Sequence, residues 1–551
     1  MADPDAPVLS PYYYRENFLR LCAAVEAQYA DILTTGEHAL LASFRGLEFK
    51  AQCLYVRLVS RTGPWFRESK LVYAELGPVA PILDALLAAG LAMEAATLSA
   101  AELGQLFTRS ELQRIFPRLD HGQLRDKAAL LEAIGQLPPR HLQALGAIDG
   151  QRIVAPRGTE LVQFLQLLFF GNRRQGLTDF VLQELGVTRY YPYPLDRAHR
   201  LFPCRQACEE YLACAALRDR HYELLDAGEP DMLPLLAAQV LATDIRFAAS
   251  EQHRDRLCNN LARDLERLGE WELALQLYGR SQRHPARERR ARILETGGDW
   301  AGAAALCEEI LRAPWCEAER EAAERIVPRL RRQLDGTRLP RRRDAFSTVT
   351  LQLPAGDGGV ERQVANHLQG EWQAVHYVEN KLMNTLFGLA FWEQIFAAVP
   401  GVFHNPYQSA PADMHDSAFY SRRRHSIDTR LEQLRTRDLA QVLVDAYHRY
   451  HDYQSRWVDW RRIDASLVEA SARAIPRPHL LAIWERMLFD PGENRRGFPD
   501  LIALGAAPGE YCLIEVKGPG DALQDSQKRW LRYFQAQQIP AQVARVEWDD
   551  A

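Results

Sequence analysis

Two short apolar runs near the carboxy end, DLIAL (500–504) and YCLIEVKG (511–518), are separated by the turn sequence GAAPGE (505–510). Apolar runs of this length, bounded by Gly and Pro, predict two buried strands joined as a hairpin. Three charges interrupt them. Asp500 heads the first run, while Glu515 and Lys517 stand two apart in the second and so share a face, with Val516 on the opposite one. An unpaired buried carboxylate costs several kcal/mol or changes its pKa until it is neutral. A divalent cation between Asp500 and Glu515 removes the difficulty, because two carboxylates make a hard oxygen site suited to Mg²⁺ or Mn²⁺. Lys517 then stands where an ammonium holds a water nucleophile or stabilises charge developing on phosphorus.

The remaining composition narrows the setting. A chain of 551 residues, 47% hydrophobic, is too long for one ordinary core and predicts three or four domains. The nine cysteines are scattered, with Cys204, Cys208 and Cys214 the one loose cluster, and no paired Cys and His at zinc spacing; reduced core thiols are expected. MADPDAPVLSPYYYRENF lacks a basic start followed by an apolar run, and no stretch of 18 apolar residues follows, so a soluble, cytoplasmic protein without a membrane partner is expected. The net charge of −5 excludes a uniformly basic nucleic-acid coat. Local basic patches remain: Arg341 to Arg343, Arg422 to His425, Arg461 with Arg462, and Arg495 with Arg496. Only six of the 67 basic residues are lysines, and Lys517 is one of them. Lys is a compact charge of tunable pKa, so its use here points to chemistry.

Ahead of the hairpin the chain reads as helical. NFLRLCAAVEAQYADIL opens a helical domain over 1–75, whose turn carries Arg61, Trp65, Arg67 and Lys70 toward either solvent or DNA. Residues 97–134, within a module spanning 76–150, read as two short helices around a turn holding His121 and Gly122. Ser99 is their N-cap, and Leu103, Leu106, Leu112, Leu124, Leu130 and Leu131 form their buried face. A helical linker region follows over 151–245, in which Gly171 and Asn172 break the stretch 158–186 into two helices. LGEWELALQLYGR (268–280) and GGDWAGAAALCEE (297–309) align at a 29-residue offset, pairing Gly269 with Gly298, Glu270 with Asp299, Trp271 with Trp300, Ala274 with Ala303 and Leu277 with Leu306. Small residues where helices cross, with an aromatic to wedge them, predict stacked helical repeats over 246–335. The array is either a spacer, the favoured reading, or a groove for a protein partner. The linker GTRLPRRRDAF (336–346) opens the last domain, 336–551, in which HYVENKLMNTLFGLAFWEQIF (376–396) reads as one long apolar helix carrying Glu379.

Pro499, Asp500, Glu515, Val516 and Lys517 match the PD-(D/E)xK nuclease pattern, and GFPDLIAL with LIEVKGPGDALQDSQKRWL is similar to its VRR-NUC subgroup. Residues 97–134 resemble a SAP module that has lost its usual turn signature, and the repeats resemble tetratricopeptide units of short period. In this order the segments resemble a bacterial member of the Fanconi-associated nuclease family over most of the chain. The resemblance implies a multidomain protein, mainly α-helical at the amino end, with a carboxy-terminal α/β nuclease domain. It implies that Glu379, Asp500, Glu515 and the Val516 carbonyl hold two Mg²⁺ or Mn²⁺ ions, with Lys517 on the nucleophile and Gln527 facing the site. It also implies a structure-selective DNase on branched or 5′-ended DNA that cuts 5′ flaps, degrades 5′ to 3′ and processes interstrand crosslinks. Arg422, Arg423 and Arg424, and Arg495 and Arg496, suit a DNA backbone or a terminal 5′ phosphate. Two other readings share these residues: a Holliday-junction resolvase or general exonuclease with the same metal site, and a non-catalytic DNA-binding scaffold of helical repeats.

Overall fold

The computed structural model describes residues 10–119, 126–138, 147–148, 151–177, 189–338, 343–354 and 358–549. The expectations for His121, Gly122 and Leu124, for Arg341 and Arg342, and for a helix over 178–186 lie outside these residues. The chain forms two compact units, 1–188 and 189–551.

In the first unit the helix Tyr13–Tyr29 packs on Phe49–Val59 and Thr159–Phe170. The strand Gln151–Pro156 pairs antiparallel with Phe66–Arg67 and with Ala92–Glu94, a small sheet that apolar periodicity did not announce. The stretch 97–134 holds three helices where two were expected: Ala100–Leu106, Arg109–Ile115 and Lys127–Gly135. Ser99 is an N-cap, in a capping box with Glu102, and Thr108 builds a second box with Glu111 that ends one helix and starts the next. Leu103, Leu112 and Leu130 are fully buried, with Leu106 and Leu131 packed against them.

The second unit begins with helical hairpins, of which five helices matter here: α1 (Ala248–Leu268), α2 (Trp271–Arg280), α3 (Ala286–Thr296), α4 (Trp300–Arg312) and α5 (Glu317–Leu334). The 29-residue repeat is a repeat of backbone conformation. Gly269 and Gly298 both adopt positive φ, at 84° and 83°, which Gly alone adopts without strain, and each reverses the chain into α2 or α4. Ala274 and Ala303 are fully buried at the helix crossings. Trp271 and Trp300 are not the expected wedges. They stand at the helix starts, 45% and 38% exposed, because the small residues let the helices meet without an aromatic between them.

The remaining chain builds a five-stranded mixed sheet from β1 (Thr348–Pro354), β2 (Ala374–Tyr377), β3 (Leu501–Leu504), β4 (Tyr511–Lys517) and β5 (Ala541–Asp549), in the order β1-β5-β4-β3-β2. β5 is parallel to both neighbours, and β4-β3 and β3-β2 are antiparallel. One face packs on helix α6 (Val360–Leu368) through Val364, Ala365, Leu368, Ile514 and Val516. The other face meets a larger core with α7 (Lys381–Ala390), α8 (Ala418–Thr436), α9 (Leu439–Tyr450), α10 (Ala465–Ala474), α11 (Arg477–Phe489) and α12 (Asp525–Ala536). The expected single helix over 376–396 is instead the end of β2, a turn at 378–380, α7, and a separate short helix Trp392–Ile395. The pairing of Val375 and Tyr377 with Ala503 and Leu501 claims the first residues for the sheet, overriding their helical spacing.

Candidate active site

The expected hairpin forms, with Leu501 opposite Ile514, a register that brings Asp500 alongside Glu515. Asp500 Oδ2 accepts the Val516 N–H at 2.9 Å, so its carboxylate is tied to the neighbouring strand. Leu513, Glu515 and Lys517 share the face of β4 turned toward α12, and Val516 packs against α6 on the other. Glu515 is fully buried and Lys517 is 9% exposed, with Lys517 Nζ 2.8 Å from Glu515 Oε1. Gln527 reaches down from the first turn of α12, its Nε2 donating to the same Oε1 at 2.5 Å.

Glu515 Oε2 is buried with no hydrogen-bond partner. Burial, and then the Asp500 carboxylate beside it, push the Glu515 carboxyl up to about 7. Asp500 is also raised, chiefly by burial, with Glu361 and Glu379 adding to it. Two acids that destabilise each other's charge, one with an idle oxygen, fit a hard divalent cation. Among the described residues no three His, Cys, Asp or Glu side chains stand as a ready-made cage. The protein's contribution is the Asp500–Glu515 pair, with Glu379 nearby.

Glu379 sits in the turn between β2 and α7, not on a helix, and its φ of 40° makes it one of three non-glycine residues in the left-handed region among those described. The backbone N–H groups of Val378 and Glu379 both donate to the Asp500 carbonyl at 2.8 Å, which fixes the turn against the head of β3. The Glu379 carboxylate accepts from Tyr377 Oη and Asn380 Nδ2, each at 3.3 Å. It does not pair with Lys381, which is 3.4 Å from Asp459.

Two further residues belong to this centre. Asn380 links both halves, because its Oδ1 accepts the Phe498 N–H at 3.1 Å while its Nδ2 touches Glu379. Glu361, in the first turn of α6, bears electrostatically on Asp500. A lone Glu at the head of an amphipathic helix carries no signal of its own in the sequence.

The basic residues scatter. Arg423 is buried, with its guanidinium bidentate on Asp413 at 2.8 and 3.0 Å, and Arg422 shares that carboxylate at 3.0 Å. Arg424 is exposed, 3.7 Å from Asp428. Arg496 is exposed and Arg495 half-buried, on the loop entering Asp500. In the first unit Arg67 is held by Glu111 at 2.7 Å and stacked over Phe107, whereas Arg61 and Lys70 are exposed.

A mixed sheet with paired carboxylates at a hairpin and a lysine on the same face fits the PD-(D/E)xK nuclease class, and a family model described as the VRR-NUC domain matches residues 435–548. Nucleases of this class depend on divalent metal. A second model, described as "FAN1, HTH domain", matches residues 12–93. The chain is 37% identical to the Fanconi-associated nuclease 1 homologue of Pseudomonas aeruginosa, covering 99% of this chain and 97% of that one. It is 24% identical to the homologue of Arabidopsis thaliana, over 97% of this chain and 67% of that one. Among solved structures it resembles paFAN1 bound to DNA with a gap and a two-nucleotide 5′ flap, at TM-score 0.79 and 37% identity, covering 99% of this chain and 100% of that one. The complex with a one-nucleotide flap gives 0.77 and 36%, over 98% and 100%. The chain belongs to the Fanconi-associated nuclease family and is a DNA nuclease acting on phosphodiester bonds.

Proposed function

We propose that the protein is a structure-selective nuclease on branched and 5′-ended DNA, cutting 5′ flaps and degrading 5′ to 3′, in the repair of lesions such as interstrand crosslinks. The paFAN1 complexes with 5′-flap DNA support the substrate class. One observation carries the chemistry: the Asp500–Glu515 pair with an idle Glu515 Oε2 and an ammonium 2.8 Å from the other oxygen.

Asp500, Glu515, the Val516 carbonyl and Glu379 would hold two Mg²⁺ or Mn²⁺ ions, the carboxylates supplying hard oxygen and substrate phosphate completing the set. When bound, these ions supply Lewis-acid charge that stabilises attacking and leaving oxygens. The Asp500 carboxylate is pre-oriented by the Val516 N–H, so it pays little reorganisation when substrate arrives. Gln527 and Lys517 converge on Glu515 Oε1, and Oε2 keeps no hydrogen-bond partner. Lys517 Nζ has further protons to donate, to the attacking water and to a non-bridging phosphate oxygen as negative charge builds there. Exposed Arg424 and Arg496 suit contacts to the DNA backbone. The flank of Trp271 is open to a protein partner.

Asp500→Ala and Lys517→Ala are expected to reduce cleavage of a 5′-flap duplex in Mn²⁺ by about 10³-fold or more, with DNA affinity nearly unchanged. Parallel assays on 5′ flaps, four-way junctions and plain ends should rank the flap first. Undiminished cutting by the Asp500→Ala protein overturns the site, and a preference for four-way junctions overturns the substrate.

A further inference from the structure

The last repeat helix, α5, is joined to the nuclease centre by charges rather than by apolar packing alone. Glu317, at its first position, is fully buried. Its N–H donates to Asp490 Oδ2 at 3.0 Å, and its Oε1 accepts from Arg486 Nη2 at 3.1 Å and from Asn494 Nδ2 at 3.2 Å. Arg320 closes on the other oxygen. One turn along, Glu321 takes Arg529 in bidentate fashion, at 2.7 and 3.1 Å.

These contacts land on both flanks of the proposed metal site. Asp490 and Asn494 lie on the loop that runs into Asp500, and Asn494 is fully buried. Arg529 lies on α12, two residues beyond Gln527. Arg486 on α11 is also stacked over Tyr533 and Trp530 of α12, at 4.3 and 5.2 Å from their ring centres, so Glu317 reaches that helix as well. The loop and α12 touch each other: Trp530 Nε1 donates to the Arg496 carbonyl at 3.0 Å.

We propose that Glu317 and Glu321 are positioning residues for cleavage, setting Asp500 and Gln527 relative to Glu515 from the repeat array without touching DNA. Directional contacts between buried charges tolerate less displacement than an apolar contact, even though Arg486 Nε and Asn494 Oδ1 keep no partner of their own. The fold thereby makes the last helical repeat part of the catalytic frame. The inference rests on the reading of Asp500 and Glu515 as the metal site.

The test uses the full chain with Glu321→Arg, Arg529→Glu, the double exchange, and Glu317→Gln. Thermal midpoint, kcat and KM on a 5′-flap duplex, and Mn²⁺ binding by calorimetry with the duplex present are measured for each. Each single charge change is expected to lower kcat about 10-fold or more, as small misplacements of reacting groups do, with KM nearly constant and Mn²⁺ binding weakened. The double exchange should recover kcat and Mn²⁺ affinity together. Glu317→Gln, which keeps shape and loses charge, gives the same signature should the exchanged proteins fail to fold. Wild-type kcat and Mn²⁺ affinity in the single variants and in Glu317→Gln overturn the proposal, as does a double exchange that restores the thermal midpoint and not kcat. An Asp500→Ala control that still cuts marks failure of the underlying site instead.

Discussion

Glu515 is asked to be ionised where ionisation is unfavourable. It is fully buried beside Asp500, and its carboxyl is pushed up to about 7 by burial first and by that neighbour second. An acid whose folded pKa lies above its ordinary value takes stability away as pH rises, here from about 4.5 to about 7. Above that window the site carries a cost that a bound cation removes. Glu515→Gln is therefore expected to abolish cutting while raising stability at pH 8 in chelator by about 1 kcal/mol. Added Mn²⁺ should reverse the order by stabilising the wild-type chain alone. Thermal melts of both proteins with and without Mn²⁺ check this.

Residues whose charge defied an apolar strand were legible in the sequence: Asp500, Glu515 and Lys517 interrupt otherwise apolar runs, and the structure brings all three together. Glu379 was legible only through resemblance. Its turn is built by hydrogen bonds to the Asp500 carbonyl more than a hundred residues away, which no local pattern encodes. Asn380 and Glu361 left no trace, since each is an ordinary polar residue until its distant partner is known.

At the scale of elements, the approach of the Asp500 loop to α12 depends on one glycine. Gly497 has φ of 82°, and a Cβ there would lie 2.6 Å from the carbonyl carbon of Ser526. Gly497→Ala must open the gap between loop and helix. It is expected to cost about 1–3 kcal/mol and to reduce cleavage, seen as a lower thermal midpoint and a fall in kcat on flap DNA. Element existence was read well where side chains decide it, as in the hairpin and in the repeat pairs with their buried Ala274 and Ala303. It failed where a cap or a distant strand decides. Thr108 and Glu111 cut one expected helix in two, and β3 drew the start of another into the sheet.

At the scale of the second unit, one buried and one half-buried histidine set a lower pH limit. His404 lies in the interior and burial holds its imidazole down to about 4; His415 is held to about 4 by burial and by the positive field of Arg495, Arg456 and Arg496. A base whose folded pKa is depressed leaves stability intact above its ordinary value. That stability is lost as pH falls from about 6.5 toward 4, because only the unfolded chain takes up the proton. His404 alone should withdraw about 3 kcal/mol over that range. Urea unfolding of the second unit at pH 7, 5.5 and 4.5 is expected to show midpoints falling in that order, with a shallower fall in His404→Gln.

The sheet order has a temporal meaning. The strand 541–549 lies between the strands 348–354 and 511–517 and is parallel to both, so neither has that partner until these residues exist. A nascent chain on the ribosome carries every acidic group of the centre well before it carries the strand that closes the sheet around them. A chain cut short of residue 541 keeps all of those acidic groups and loses the strand that holds their sheet together, so it is not expected to cut DNA.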